Sequence, residues 1–164
     1  MYLIENGTCG GMPGKPWMGR EVSYGINDTI PLERREEMGL MAVSGAMILC
    51  TMGMAPGTLM AAVQSTCLAG GKPVAVINDI APMTSVGACG MCTSMMNPAV
   101  SAATAAALGV LTPQPCVPAP MGPWKPGGAV IIGGVPCLSS DSILNCAYGG
   151  VVSIANPGQT QVMI

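Results

Sequence analysis

The chain has eight cysteines and no histidine, so sulfur is its principal soft ligand and its principal nucleophile. Cys50 opens Cys-Thr-Met-Gly and Cys146 opens Cys-Ala-Tyr-Gly. Cys89 and Cys92 form Cys-Gly-Met-Cys, and Cys116 lies in Pro-Gln-Pro-Cys-Val-Pro. Thiols placed before tight turns and spread along the chain point to one convergent site that ties distant turns together. Thiolates bind zinc or iron when four of them converge, and Cys-x-x-Cys is a common half-site. Here that pair occurs once, and the overall spacing is too open for a zinc finger. Metal ligands, disulfides and small buried side chains therefore all remain open readings of the set. Cys67 and Cys137 sit in apolar runs and read as core residues. Cys9 has no obvious mate.

A sharper chemistry for Cys89 and Cys92 is thiol redox. A thioredoxin-like pair should follow a strand and open a helix. Here Thr-Ser-Met-Met separates the pair from the next helix signal, and no βαβ pattern surrounds it. Other catalytic sets are missing. Without histidine there is no Ser-His-Asp or Cys-His arrangement. Beyond residue 40 the acidic residues are Asp79 and Asp141, too few to argue a paired-carboxylate site. Gly70-Gly71-Lys72 lacks the longer glycine frame and the hydroxyl residue of a phosphate loop. Asp79 reads as a turn former. The expectation is a protein that is not an enzyme.

The elements that must position these thiols are built from unusual material. Among 164 residues there are 23 Gly and 15 Pro, so the chain turns often. There is no Phe, with 2 Trp and 3 Tyr, so the core falls to aliphatic residues and some of the 15 Met. Half the chain is hydrophobic, which argues against disorder. Charged residues make up 9% and the net charge is −2, which lacks the basic footprint of a nucleic-acid binder. So little charge leaves two readings of the surface: polar uncharged side chains, or cover by a partner. The first residues lack the basic start and apolar run of a secretory leader. No run of ~18 apolar residues suits a membrane span. The chain is expected to be made in the cytosol, where metal binding or inert burial is commoner for cysteines than disulfides.

Most of the charge falls in residues 1–40, read as an extension, with Pro31–Met38 as a short helix ending at Gly39. Beyond it, short apolar runs alternate with turn formers. Ala46–Cys50, Val74–Ile77, Val130–Ile132 and Gly150–Ile154 carry the strand signature. Val76–Pro82 and Ile132–Pro136 read as hairpins, with Asn-Asp and Gly-Gly supplying positive φ. Gly45–Gly53 and Ser142–Gly149 echo each other, each running from apolar residues into Cys-x-x-Gly, and Gly87–Cys92 is a looser third copy. One helix is predicted: Asn97 caps it, Pro98 starts it, Ala99–Leu108 fills it and Gly109 ends it.

Several stretches, in order, resemble the PAAR-like family, similar to the Pro-Ala-Ala-Arg spike tips of contractile injection systems. They are Gly45-Ala-Met-Ile-Leu-Cys50-Thr-Met-Gly-Met-Ala-Pro, Gly90-Met-Cys92-Thr-Ser-Met-Met-Asn-Pro-Ala, and Ala105 through Cys116-Val-Pro. Pro123-Trp124 and Leu144-Asn-Cys146-Ala-Tyr-Gly-Gly-Val-Val-Ser-Ile follow. The resemblance covers roughly 41–155, leaving 1–40 as an N-terminal extension and 156–164 as a tail.

The resemblance implies a mainly β fold: a small conical domain of short β-hairpins with one Ala-rich helix. It implies a structural tip that caps and sharpens the trimeric β-helical spike of a phage-tail-like or type VI secretion-like particle. Such a tip is assembled in the cytoplasm, exposed on firing, and in some cases loaded with effectors. It needs neither nucleic acid nor a stable membrane anchor. In relatives that contain histidine, the apex metal is held largely by imidazoles. Here it would be held by the cysteines on the family motif, Cys50, Cys92, Cys116 and Cys146, with zinc as the metal and iron as the other candidate. Cys89 could take the place of Cys92. Two alternatives stand beside this reading: a thiol-redox enzyme using Cys89 and Cys92, and a small metal-free β domain with buried cysteines.

Overall fold

A computed structural model of the protein describes residues 39–64 and 66–164. The expected helix at Pro31–Met38, Cys9 and the rest of the extension lie outside the described residues. Within them the fold is mainly β, with nine strands and one helix. These are β1 (Ala46–Cys50), β2 (Gly57–Leu59), β3 (Leu68–Ala69), β4 (Lys72–Pro73), β5 (Met91–Cys92), α1 (Pro98–Ala106), β6 (Gln114–Pro115), β7 (Lys125–Ile132), β8 (Val135–Asn145) and β9 (Val151–Asn156). Five strands form one antiparallel sheet in the order β2-β1-β9-β8-β7, and two two-stranded sheets, β3-β4 and β5-β6, stand apart from it.

The large sheet follows from period-two patterning. In β1 the side chains of Ala46 and Ile48 are buried, while Met47 and Leu49 face out. In β9 Val152 and Ile154 take the buried side. The β7–β8 hairpin turns at Gly133 and Gly134, both at positive φ (57° and 83°). That is the two-residue turn in which glycine carries no steric cost. β8 is longer than its sequence suggests, because Ser139 and Ser142 are buried within it. The Ser142 hydroxyl donates to the Pro126 carbonyl at 2.6 Å and accepts from the Ser139 amide at 3.1 Å.

Two predicted strand units come out differently. Val74–Ile77 forms no continuous strand. Val74 and Val76 make isolated bridges to Val43 and Cys137. Val76–Pro82 is a tight inward turn and not a hairpin. Asp79 is fully buried there, and its carboxylate accepts the amides of Ala62 (2.8 Å), Val63 (2.9 Å) and Val76 (2.8 Å). Its carbonyl accepts the indole N–H of Trp124 at 3.0 Å, and Trp124 is itself buried. A buried carboxylate is tolerated only when so satisfied, and this one pulls the turn into the core.

α1 begins as predicted. The Asn97 side chain accepts from the Ala99 amide at 3.0 Å, and Pro98 follows. It ends at Ala106, two residues before the predicted Leu108. Leu108 already sits at φ 55°, followed by Gly109 at 92°, and the Gly109 amide closes on the Thr104 carbonyl at 2.9 Å. The left-handed stop therefore starts one residue ahead of the glycine. Val100 and Thr104 face inward, and the helix packs against β6.

The core has two parts. The larger gathers Ile48, Leu59, Trp124, Leu138, Leu144, Val152 and the helical Val100 with Cys89, Cys92 and Cys116. The smaller gathers Met41, Val43, Val74, Val76 and Ile132 with Cys67 and Cys137.

Candidate functional site: a cluster of thiols

β1 and β8 both run antiparallel to β9, which lies between them, so they point the same way. Each runs out into a Cys-x-x-Gly turn. The Gly53 amide donates to the Cys50 carbonyl at 3.0 Å, and the Gly149 amide donates to the Cys146 carbonyl at 3.0 Å. The internal echo in the sequence is thus one turn built twice at one end of the sheet. Gly150 joins the two turns. Its carbonyl accepts the Cys146 amide at 2.8 Å, and a Cβ there would lie 2.8 Å from Cys50 Sγ.

The third copy of the motif arrives from the β5–β6 ribbon. Gly53 bridges to Cys92, and the Thr93 amide donates to the Met52 carbonyl at 2.9 Å. Gly53 is packed so closely that an added Cβ would meet Cys89 Cβ and the Cys89 carbonyl, each at 2.6 Å, and Cys50 Cβ at 3.3 Å. The Cys116 amide donates to the Gly90 carbonyl at 2.8 Å, which fixes Cys116 against the Cys89–Cys92 loop. Pro120 bridges to Cys146 and closes the ring of turns.

Cys50, Cys92, Cys116 and Cys146, the residues singled out from the sequence, are thus brought to one end of the domain, and Cys89 joins them there. All five carry free thiols. Cys89, Cys92 and Cys116 are buried, and Cys50 and Cys146 are half-buried. Burial pushes the Cys89 thiol up to about 11, and the neighbouring sulfurs of Cys50 and Cys116 add to the effect. Cys116 is raised first by burial, with Cys92, Cys50 and Cys146 adding in the same direction, while a backbone hydrogen bond from Cys89 opposes them. Each of the five sulfurs is therefore close enough to at least one other for their charges to be felt.

The donor set has the chemistry of a soft-metal centre, with sulfur alone and more than four candidates. Among the described residues, no group of three or more Cys, Asp or Glu side chains is drawn into the spacing that holds a metal ion. Metal coordination would require the sulfurs to draw closer together than this.

The remaining cysteines separate from this group. Cys137 is buried in the smaller core with a free thiol, as a packing residue should be. Cys67 was expected to be a packing residue too. It is buried but disulfide-bonded, so cross-linking is added to its packing role. Sequence reasoning ranked Cys89 behind Cys92, yet Cys89 is the most enclosed of the five. The signal lay in Gly53 and Gly57, whose missing side chains make room for it: a Cβ on Gly57 would lie 3.1 Å from Cys89 Sγ.

A family described as a domain of unknown function, DUF4280, matches residues 42–159. Comparison with curated proteins and with solved structures finds no match. The matched span contains the whole of the larger core, all three sheets and every thiol of the cluster, and the chain belongs to the DUF4280 family.

Proposed function

We propose that this DUF4280 chain is a structural tip of the PAAR-like kind. It would cap the trimeric β-helical spike of a phage-tail-like contractile injection particle, with a metal held by thiolates clamping its turns. The observation that carries the reading is the convergence of turns distant in sequence on one cluster of five thiols, in a body with little charge. The ordered motifs that resemble PAAR-like proteins supply the role.

In this reading Cys50, Cys92, Cys116 and Cys146 bind the ion, and Cys89 competes with Cys92 for one position. Zinc suits an all-sulfur tetrahedral site, and iron is the other candidate. When bound, the ion cross-links the β1, β8 and β5–β6 turns and contributes directly to folding free energy. The chain's own residues do the positioning. Gly53, Gly57 and Gly150 let the turns approach, and α1 buttresses the β5–β6 ribbon that carries Cys92.

The second reading, thiol redox at Cys89 and Cys92, is weakened by the same geometry. A reactive cysteine needs an accessible sulfur with a lowered pKa. Cys89 is buried and its thiol is pushed up.

The tip role is tested by co-expression with the trimeric spike protein of its particle. The expected result is a stable complex of one chain per spike trimer. A chain that passes size exclusion alone, with both partners folded, would overturn the role.

A further inference from the structure

Four exposed methionines stand on the turns that carry the thiol cluster. Met54 follows Gly53, the residue wedged between Cys50 and Cys89, and its amide donates to the Met91 carbonyl at 3.0 Å. Met91 lies between Gly90 and Cys92. The sulfur of Met96 reaches Gly149 in the second Cys-x-x-Gly turn, 3.0 Å from where a Cβ would stand. The Met121 amide donates to the carbonyl of Asn145, the neighbour of Cys146. All four side chains are exposed: 66% for Met54, 38% for Met91, 66% for Met96 and 71% for Met121, against 1% for Cys89. No charged residue interrupts the chain from Ile80 to Trp124, where three of the four lie. An aliphatic side chain would fill these positions as well if only packing mattered, and a polar one would suit plain exposure better.

We propose that Met54, Met91, Met96 and Met121 are modification sites for electrophilic oxidants of the hypohalous acid class, and that they form a sacrificial screen over the cluster. Hypochlorous acid attacks thioethers and thiols with similar intrinsic speed, so access decides which sulfur reacts. In the balanced step the methionine sulfur takes up chlorine from HOCl with loss of hydroxide, water then supplies the sulfoxide oxygen as chloride leaves with both electrons, and the hydroxide takes one of the two protons of that water. One proton is released, and the product is the sulfoxide, which methionine sulfoxide reductases can reverse. Oxidation of the cluster cysteines past the sulfenic stage has no such general return. Burial of Cys89, Cys92 and Cys116 limits the access of oxidant to them and widens the margin. The screen needs only that the thiols cluster, whether or not they hold a metal.

The test is a titration of the full chain with hypochlorous acid, from substoichiometric to several equivalents, followed by quenching, unfolding in denaturant, iodoacetamide alkylation and peptide mapping. Oxygen should appear on Met54, Met96 and Met121, and then on the less exposed Met91, while the five cluster thiols still alkylate. A variant with all four methionines replaced by leucine should lose its thiols at a dose at least threefold lower. A control with Met47, Met60, Met83 and Met163 replaced by leucine should keep the wild-type dose. Thiol loss ahead of methionine oxidation in the wild type overturns the proposal, and so does equal thiol loss in the two variants. If the fourfold variant does not fold, the wild-type order of oxidation and the single variants Met54→Leu and Met121→Leu decide the matter. Elemental analysis of the same samples separates this result from the metal reading, since a metal-free chain with the predicted order keeps the screen and removes the metal.

Discussion

At the scale of single residues, Asp79 and the cysteines carry the sharpest consequences. Asp79, itself fully buried, satisfies three amides from two segments, the Val76 amide among them buried. Asp79→Ala leaves those donors without partners and should cost at least about 3 kcal/mol in denaturant unfolding. Asp79→Asn keeps one acceptor oxygen and should cost less; equal losses would contradict this role for the carboxylate. Composition marks Asp79 as a turn residue, which it is. The inward direction of the turn was not legible, because it depends on amides at Ala62 and Val63 that sequence alone does not bring near. Cys137 offers a pH test. Burial raises its thiol pKa above the ordinary 9.0. The folded state therefore holds that proton more tightly than the unfolded chain, and the resulting stability is present below pH 9 and is lost as pH rises beyond it. Unfolding free energy measured across that range should fall less steeply in Cys137→Ala than in the wild type; parallel slopes would remove Cys137 from the alkaline response.

At the scale of elements, the thiol site depends on how closely the turns can pack. In Gly53→Ala the new methyl meets the Cys89 backbone and side chain at 2.6 Å, so the Cys50 turn must move away from the Cys89 loop. We expect a fall in the thermal midpoint together with faster alkylation of Cys89 by a small iodoacetamide probe. An unchanged midpoint and an unchanged labelling rate would mean the turns are not locked together there. The α1 N-cap gives a milder prediction: Asn97→Ala should cost about 1 kcal/mol by chemical denaturation, while Asn97→Ser should cost little. β1, β9, the β7–β8 turn and the start of α1 were legible, since each is written locally as alternation, as Gly-Gly or as a cap. The rest of β8 was not, because its buried serines look like a loop until Pro126 and Ser139 supply partners. Val74–Ile77 has strand composition, but its neighbours offer it only isolated bridges.

At the scale of the whole molecule, two Cys-x-x-Gly turns leave the same end of one sheet, and a separate ribbon brings three more thiols to them. Cys50 and Cys146 gather because a repeated local motif on strands flanking a common neighbour has to emerge on one side, while Cys92 and Cys116 come with the ribbon and Cys89 precedes it. The deep burial of Cys89 was hidden, since it follows from Gly53 and Gly57, more than thirty residues away in sequence. A clamp of this kind is tested most directly by elemental analysis of the full chain purified under reducing, anaerobic conditions. We predict about one zinc or iron per chain, lost on chelation together with cooperative unfolding, and reduced in Cys50→Ser and Cys146→Ser. A chain that is folded and free of metal, with both serine variants as stable as the wild type, would contradict the metal-clamped tip.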